Sequence, residues 1–266
     1  MKKISRREGL KAGLALTSSL GLMTLGSQTQ AATNPIKTPF KVNPVYVPIA
    51  DSQEMFPVRR IYCIGRNYEA HAKEMGSDPT REPPFFFQKP TDAIQYIAPN
   101  KIVDHPYPSL TKNYHHEVEL VAALSKGGKN IPTETALEHV YGYALGIDMT
   151  RRDLQRMLGN EKKPWEIGKS FDHSAPIGPI FPVSKYGHIT KGNISLTLNG
   201  QIKQQANLEQ MIWSVAEQIS KLSEANELFP GDIIYSGTPE NVGPMVRGDV
   251  VVCKLDGLPD LSVKIV

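Results

Sequence analysis

Short alternating runs, closed at their corners by glycine, proline or asparagine, fill the chain from residue 59 to its end. That rhythm points to a sheet-based fold. "RRIYCIG" (59–65), "FFFQKP" (85–90) and "YGYALGIDM" (141–149) read as strands. "ISLTLNGQIKQQ" (194–205) alternates about Asn199-Gly200, the pair favoured where both central residues of a hairpin turn need positive φ. "PGDIIYSGTPENVGPMVRGDVVVCKLDGL" continues as strand–turn–strand. Helical signals are fewer. "RNYEAHAKEMG" (66–76) reads as a short helix with Asn67 as N-cap and Gly76 as stop, and "PTETALEHV" (132–140) as another. "TRRDLQRML" (150–158) has a capping-box-like start at Thr150 and Asp153. In "LEQMIWSVAEQISKL" (208–222), Leu208, Met211, Ile212, Val215, Ile219 and Leu222 share one helical face, and Trp213 reads as packing. The expected class is α+β: a mixed, mostly antiparallel β-sandwich or β-roll with peripheral helices.

The N-terminus differs in kind. "MKKISRREGLKAGLALTSSLGLMTLGSQTQAAT" has a basic start, an apolar stretch around 12–26 and a small, polar end, the layout of a signal peptide over residues 1–32. Arg6-Arg7 resemble a twin-arginine export signal, a route that carries folded proteins. The apolar stretch is short for a membrane span and rich in Gly, Ser and Thr. The expectation is a periplasmic protein that meets the twin-arginine export machinery as a precursor; retention in the cytoplasm is the alternative. Residues 33–57, with five prolines, read as an extended arm leading into a catalytic domain over 58–266. Residues 1–32 hold five Lys/Arg against one Glu; removing that +4 from the chain's +3 leaves −1. The basic balance belongs to the leader, and nothing supports nucleic-acid binding. Cys63 and Cys253 fit neither a disulfide framework nor a zinc site, and read as small core residues. Neither G-x-G-x-x-G nor a Walker loop occurs.

In "NYHHEVELVAAL" (113–124) the strand period puts Glu117 and Glu119 on one face and Val118 and Leu120 on the other. Two adjacent anions repel unless water or a cation lies between them. With Asp148 at the corner after "YGYALGI", they form three hard oxygen ligands, suited to Mg²⁺ or Mn²⁺, with Ca²⁺ also open. The plain reading is a solvated strand face with Asp148 capping a turn. His115 shares the glutamates' face and reads as a supporting or surface residue. His71 and Glu74, at i and i+3 of a helix, suit a carboxylate-oriented general base, or a surface pair. Lys169, in "WEIGKSFDHSAPIGP", is either a loop lysine or a cation that offsets the charge left by three carboxylates and a divalent ion.

"YCIGRNYEAHAKEMG", "PPFFFQKPTDAI", "HHEVELVAAL", "GYALGIDMTRRDLQ", "KSFDHSAPIGP" and "SGTPENVGPMVRGDVV", in this order, resemble the fumarylacetoacetate hydrolase family over roughly residues 58–266. "REPPFFFQKP", "TRRDLQ" and "MIWSVAEQI" lean towards its branch acting on fumarylpyruvate and related acylpyruvates. The resemblance implies Glu117, Glu119 and Asp148 as ligands of Mg²⁺ or Mn²⁺, and His71 with Glu74 as the water-activating dyad. It implies Lys169 beside the metal, Gln155 as a donor to the developing oxyanion, and Arg152, Lys89 and Thr238 as substrate contacts. It also implies a homodimer, a small keto-acid substrate, and cleavage of a C–C bond, for fumarylpyruvate to fumarate and pyruvate. Asn241, in "GTPENVGP", stands where relatives commonly carry Gly; Asn tolerates a left-handed backbone best among the others. Two readings stay open beside hydrolysis: isomerase, decarboxylase or tautomerase chemistry on a related keto acid, and an exported non-catalytic binder.

Overall fold

The backbone of the Val118–Leu124 strand is covered on both sides, and the molecule is arranged around it. In the computed structural model, residues 37–76 and 82–266 are described; the expected signal peptide and residues 77–81 lie outside them. Val118, Leu120, Ala122 and Leu124 point into one apolar cluster, with Ile194, Leu196, Val251, Cys253 and Ile219. Val121 and Ala123 point into another, with Val47, Phe56, Ile61, Cys63 and Ile177. The period-2 alternation expected there is present, but the glutamates' face continues into a second core instead of into solvent. Cys63 and Cys253 are free and buried, one in each cluster.

The larger sheet runs, edge to edge, through residues 86–89, 60–64, 232–235, 118–124, 140–147, 175–177 and 94–96, with 181–182 paired to the 140–147 strand. A five-stranded sheet (201–207, 193–198, 250–255, 261–265, 102–105) closes the first cluster, and a three-stranded one joins 150–151, 114–116 and 243–245. Among the described residues, parallel strand pairs join 60–64 with 232–235, 94–96 with 175–177, and 102–105 with 261–265, beside one isolated parallel bridge between Ile49 and Ile180. This is the expected α+β class, mixed and mostly antiparallel with helices outside. Asn199 and Gly200, at φ 49° and 79°, make the expected hairpin turn.

Several local expectations change. The arm is not merely extended: Val45–Pro48 pairs with Met55–Val58, and Val47, Phe56 and Val58 enter the second cluster, so residues 43–266 form one compact unit. Residues 37–42 fall outside that unit. The helix expected over 208–222 is a 3₁₀ turn at Leu208–Gln210, then a helix only from Val215 to Ala225. Ser214 and Glu217 form a capping box that starts it inside the apolar run. Thr150 caps nothing; it pairs in a strand with His115, and the helix starts at Arg152. Asn67 is not a helix cap either. Its amide donates to the carbonyls of Trp213 (2.9 Å) and Ser236 (2.8 Å), and its oxygen accepts from the Trp213 N–H (2.8 Å). Among the described residues no helix is long and apolar enough to cross a membrane.

Candidate active site

Antiparallel register assembles the carboxylates. Glu119 lies opposite Gly146, Val118 opposite Ile147, and the Asp148 N–H donates to the Glu117 carbonyl at 2.8 Å. Asp148 thereby comes beside Glu117, and one oxygen from each of Glu117, Glu119 and Asp148 falls within 4.8 Å of the others. All three are buried, at 4%, 1% and 1% exposure. The solvated-strand reading is therefore excluded.

The three are not equally compensated. Glu117 accepts from Lys169 Nζ (2.9 Å), from Thr150 Oγ1 (3.2 Å) and from an Arg152 Nη2 contact. Burial pushes its carboxyl up, but Lys169 and Arg152 outweigh that and hold it well below the usual carboxylate range. Asp148 Oδ2 accepts from Lys169 Nζ at 2.8 Å. Its Oδ1 lies 2.8 Å from Lys89 Nζ yet accepts no hydrogen bond, because that ammonium aims at the carbonyls of Met149 (3.2 Å) and Lys169. Among the described residues Glu119 receives one hydrogen bond, from the Gly237 N–H at 2.8 Å. Burial, then Asp148 and Glu117, push its carboxyl far upward. An uncompensated Glu119 beside two further buried carboxylates and an all-oxygen donor set fit a divalent cation. Lys169 does not offset the charge alone, since Lys89 and Arg152 also reach the cluster. Burial depresses the Lys169 ammonium, but Asp148 and Glu117 more than restore it, so it stays charged.

Two glycines allow this closeness. Gly237, at φ +97°, brings its N–H to Glu119, and a Cβ there would lie 2.5 Å from Asn67 Cβ. At Gly168, a Cβ would meet the Gln155 backbone N at 2.8 Å, so the Glu166–Lys169 turn packs directly against the Arg152–Asn160 helix.

A narrow cavity of about 20 Å³ opens over Glu117 and Glu119 and is also lined by His71, Gln155, Lys169 and Thr238. His71 Nδ1 lies 3.0 Å from Glu74 Oε2, leaving Nε2 as the ring nitrogen without that partner. His71 is buried while the Glu74 side chain is one-third exposed, so the pair is not a surface pair. The same Glu74 oxygen accepts from the Asn241 N–H at 3.1 Å. Asn241, at φ 65°, holds the left-handed conformation anticipated for it. Arg152 Nη1 donates to Gln155 Oε1 at 2.5 Å, which commits the oxygen and leaves the amide N–H₂ as the group available to the cavity. Thr238 Oγ1 accepts from Gln204 at 2.9 Å and keeps its own hydrogen to donate.

Of the expected substrate contacts, Thr238 and Arg152 border the cavity and Lys89 does not; it sits behind Asp148. Arg152 is buried and anchored to Glu117, Gln155 and His115 Nδ1 (3.4 Å), which makes it a clamp on the carboxylate wall. His115 is a support and not a surface residue: its Nε2 donates to Asn113 Oδ1 at 2.8 Å, while burial and then Arg152 lower it to about 3. The aromatic wall was not anticipated. Phe85 meets Trp165 edge-on at 5.5 Å, and both line the cavity with Arg66 and Met75. A glycine before Arg66 and aromatics around 85–87 are the signals for it, since a Cβ at Gly65 would lie 2.0 Å from Phe85 Cζ.

Comparison with known proteins gives this geometry a context. Residues 60–266 match the family model described as fumarylacetoacetate (FAA) hydrolase, C-terminal. A crystal structure of fumarylpyruvate hydrolase from Pseudomonas aeruginosa, in complex with Mn²⁺ and pyruvate, is 54% identical with a TM-score of 0.85, covering 86% of this chain and 99% of that one. A fumarylpyruvate hydrolase of Ralstonia sp. is 38% identical over 192 residues, 71% of this chain and 95% of that protein. A mitochondrial oxaloacetate decarboxylase of Dictyostelium discoideum is 39% identical over 202 residues, 75% of this chain and 90% of that protein. With most of the chain matched in sequence and in backbone path, the protein belongs to the fumarylacetoacetate hydrolase family.

Proposed function

We propose that this protein is a divalent-cation-dependent hydrolase of acylpyruvates, with fumarylpyruvate as substrate and fumarate and pyruvate as products. The observation that carries the reading is one cavity lined by Glu117, Glu119 and His71, with Asp148 completing the buried carboxylate cluster behind it and Glu74 holding the imidazole. Relatives of 54% and 38% identity that are fumarylpyruvate hydrolases support it, and the Mn²⁺ in one of them supports Mn²⁺ or Mg²⁺ here. A divalent ion held by the three carboxylates supplies positive charge to the keto-acid oxygens. Glu74 fixes the imidazole so that His71 Nε2 takes a proton from water. The water oxygen bonds to the distal acyl carbon. The bond from that carbon to the methylene breaks, its electron pair goes to the pyruvate half, and the proton taken up at His71 Nε2 passes to that methylene carbon, which completes pyruvate and restores the neutral ring. The Gln155 amide, set by Arg152, donates to the oxygen on which charge develops. Lys169 stays charged and offsets the negative charge passed to the pyruvate half.

Decarboxylation of oxaloacetate, named for the Dictyostelium relative, or its tautomerisation, named for a mouse relative of 36% identity, is the second reading. Product analysis separates the possibilities, using protein loaded with Mg²⁺ or Mn²⁺ or stripped by chelation. We expect fumarate and pyruvate from fumarylpyruvate, lost on chelation and restored by either ion. Carbon dioxide or an altered keto–enol ratio from oxaloacetate, without fumarate from fumarylpyruvate, would establish the second reading. Binding without turnover of either would leave the non-catalytic binder.

The basic start with Arg6-Arg7 motivates a further part of the proposal, export to the periplasm as a folded protein; the family resemblance motivates a homodimer. Replacing both arginines by lysine is expected to leave precursor in the cytoplasm. Equal periplasmic amounts with and without the change would overturn the twin-arginine route, and a monomer in sedimentation would overturn the dimer.

A further inference from the structure

The cavity over the carboxylates is small for the molecule it is proposed to turn over. At about 20 Å³ it has room for roughly one water, and an acylpyruvate is several times larger. The acyl group must therefore take space beyond it. Two larger spaces border the cavity. The walls of an outer chamber of about 410 Å³ include its Gln155, Met75 and Trp165. The walls of an aromatic groove of about 270 Å³ include its Phe85, Phe87, Lys169 and Trp165. Among the described residues, chamber and groove have only Trp165 in common. One indole stands where all three spaces meet.

The fold holds the base of this residue and gives its ring close neighbours. The Trp165 carbonyl accepts from the Gly168 N–H (2.7 Å) and the Lys169 N–H (3.1 Å), so its backbone belongs to the turn that carries Lys169. The half-buried ring meets Phe85 edge-on and lies 6.2 Å from the Phe87 ring. On the Arg152–Asn160 helix, Gly159 leaves it room: a Cβ there would lie 3.2 Å from the indole Nε1. Because the ring borders open space, trimming it joins existing spaces, where trimming a core residue would leave a sealed void. Gln155 gives the direction of the substrate. Its amide serves the distal carbonyl in the reaction proposed above, and it lines the cavity and the outer chamber but not the groove. An acyl group on that carbonyl carbon runs into the outer chamber, with the indole between it and the groove. The chamber is lined by polar side chains such as Glu74, Arg156 and Asn160, which suit a polar acyl end. The groove is lined by Phe85, Phe86 and Phe87, whose faces suit an aryl group.

We propose that Trp165 is the specificity-determining wall of the acyl site: its indole directs the acyl group into the polar outer chamber and bars aryl acyl groups from the aromatic groove. The inference rests on the acylpyruvate reading and deepens it by naming what sets the acyl class. The test is the ratio of kcat/KM on benzoylpyruvate to that on fumarylpyruvate. In Trp165→Ala this ratio is expected to rise about 10- to 100-fold, within the range over which a hydrophobic pocket sorts substrates by bulk. Trp165→Phe puts a smaller ring on the same backbone and should raise it less, about 2- to 10-fold. That variant also carries the test should the alanine variant fail to fold. A merely structural role, exerted through the turn that holds Lys169, would lower turnover of both substrates together. An unchanged or lowered ratio in Trp165→Phe, and in Trp165→Ala where it folds, overturns the wall. A parent enzyme that does not cleave fumarylpyruvate removes the acylpyruvate reading and the wall with it. Cleavage of fumarylpyruvate by the parent, with a ratio indifferent to the side chain at position 165, overturns the wall alone.

Discussion

Glu74 puts two hydrogen bonds on one oxygen, the first to the imidazole it orients and the second to the backbone of Asn241. The carboxylate is thus held from two segments, and the ring it orients cannot swing without breaking one of them. His71→Ala is expected to lower kcat on fumarylpyruvate by about 10²- to 10⁴-fold, the contribution usual for a general base. Glu74→Gln should change kcat in the same direction, and the double variant should be little worse than the poorer single one if the pair acts as a unit. Cation-induced stabilisation in a melting experiment should persist in His71→Ala, because the ring is not a ligand. Turnover near the parent's in His71→Ala would remove the dyad from the mechanism. Much of this was legible from residue spacing, since i, i+3 on a helix and i, i+2 on a strand are local periods. Of the cationic clamp, Lys169 was anticipated as one of two readings of its loop, and the grip of Arg152 on Glu117 was not. Arg152 and Lys169 reach Glu117 from 35 and 52 positions away, and no local pattern announces such a pairing.

At the scale of elements, Asn67 joins three segments: the corner ahead of the dyad helix, the stretch at Trp213 and the loop at Ser236. That loop next sends the Gly237 N–H to Glu119. Asn67→Ala strands a backbone N–H and removes a donor from two carbonyls in a dry place. We expect a loss of about 3 kcal/mol, or roughly 10 °C in Tm for a chain of this size. An unchanged Tm would show that water replaces the amide. The residue reads as a helix cap in sequence because Asn is a common cap; its side chain was drawn away by tertiary partners. Thr150 misleads for the same reason, its hydroxyl being taken by Glu117 and the Asp148 carbonyl. The 208–222 run shows the opposite fault, a continuous apolar face across a capping box that starts the helix late. The Asn199-Gly200 hairpin was read correctly because its turn demands two positive φ angles that few residue pairs supply.

Across the whole molecule, the buried imidazoles set the response to acid. His105 donates from Nδ1 to Gln95 Oε1 at 2.6 Å and accepts at Nε2 from the Tyr114 hydroxyl at 2.5 Å, the arrangement of a neutral ring. Burial, then the like charge of His173, lower it from 6.5 to about 3. The unfolded chain therefore takes up a proton that the folded one refuses as pH drops below about 6.5, and stability declines from there to about pH 3. Between pH 7 and pH 5 this one group costs about 2 kcal/mol. Denaturant unfolding of the parent and His105→Asn at both pH values should show a shallower acid loss in the variant. Parallel losses would assign the acid response to other groups. One further property follows from the strand that carries Glu119, packed between two apolar clusters. Close-packed interiors transmit displacement instead of absorbing it, so a void opened on either side of Val118–Leu124 reaches the same carboxylate oxygens. Turnover in this protein is consequently a gauge of distant packing, and core substitutions ranked by activity alone would chart how each layer yields, not which groups perform the reaction.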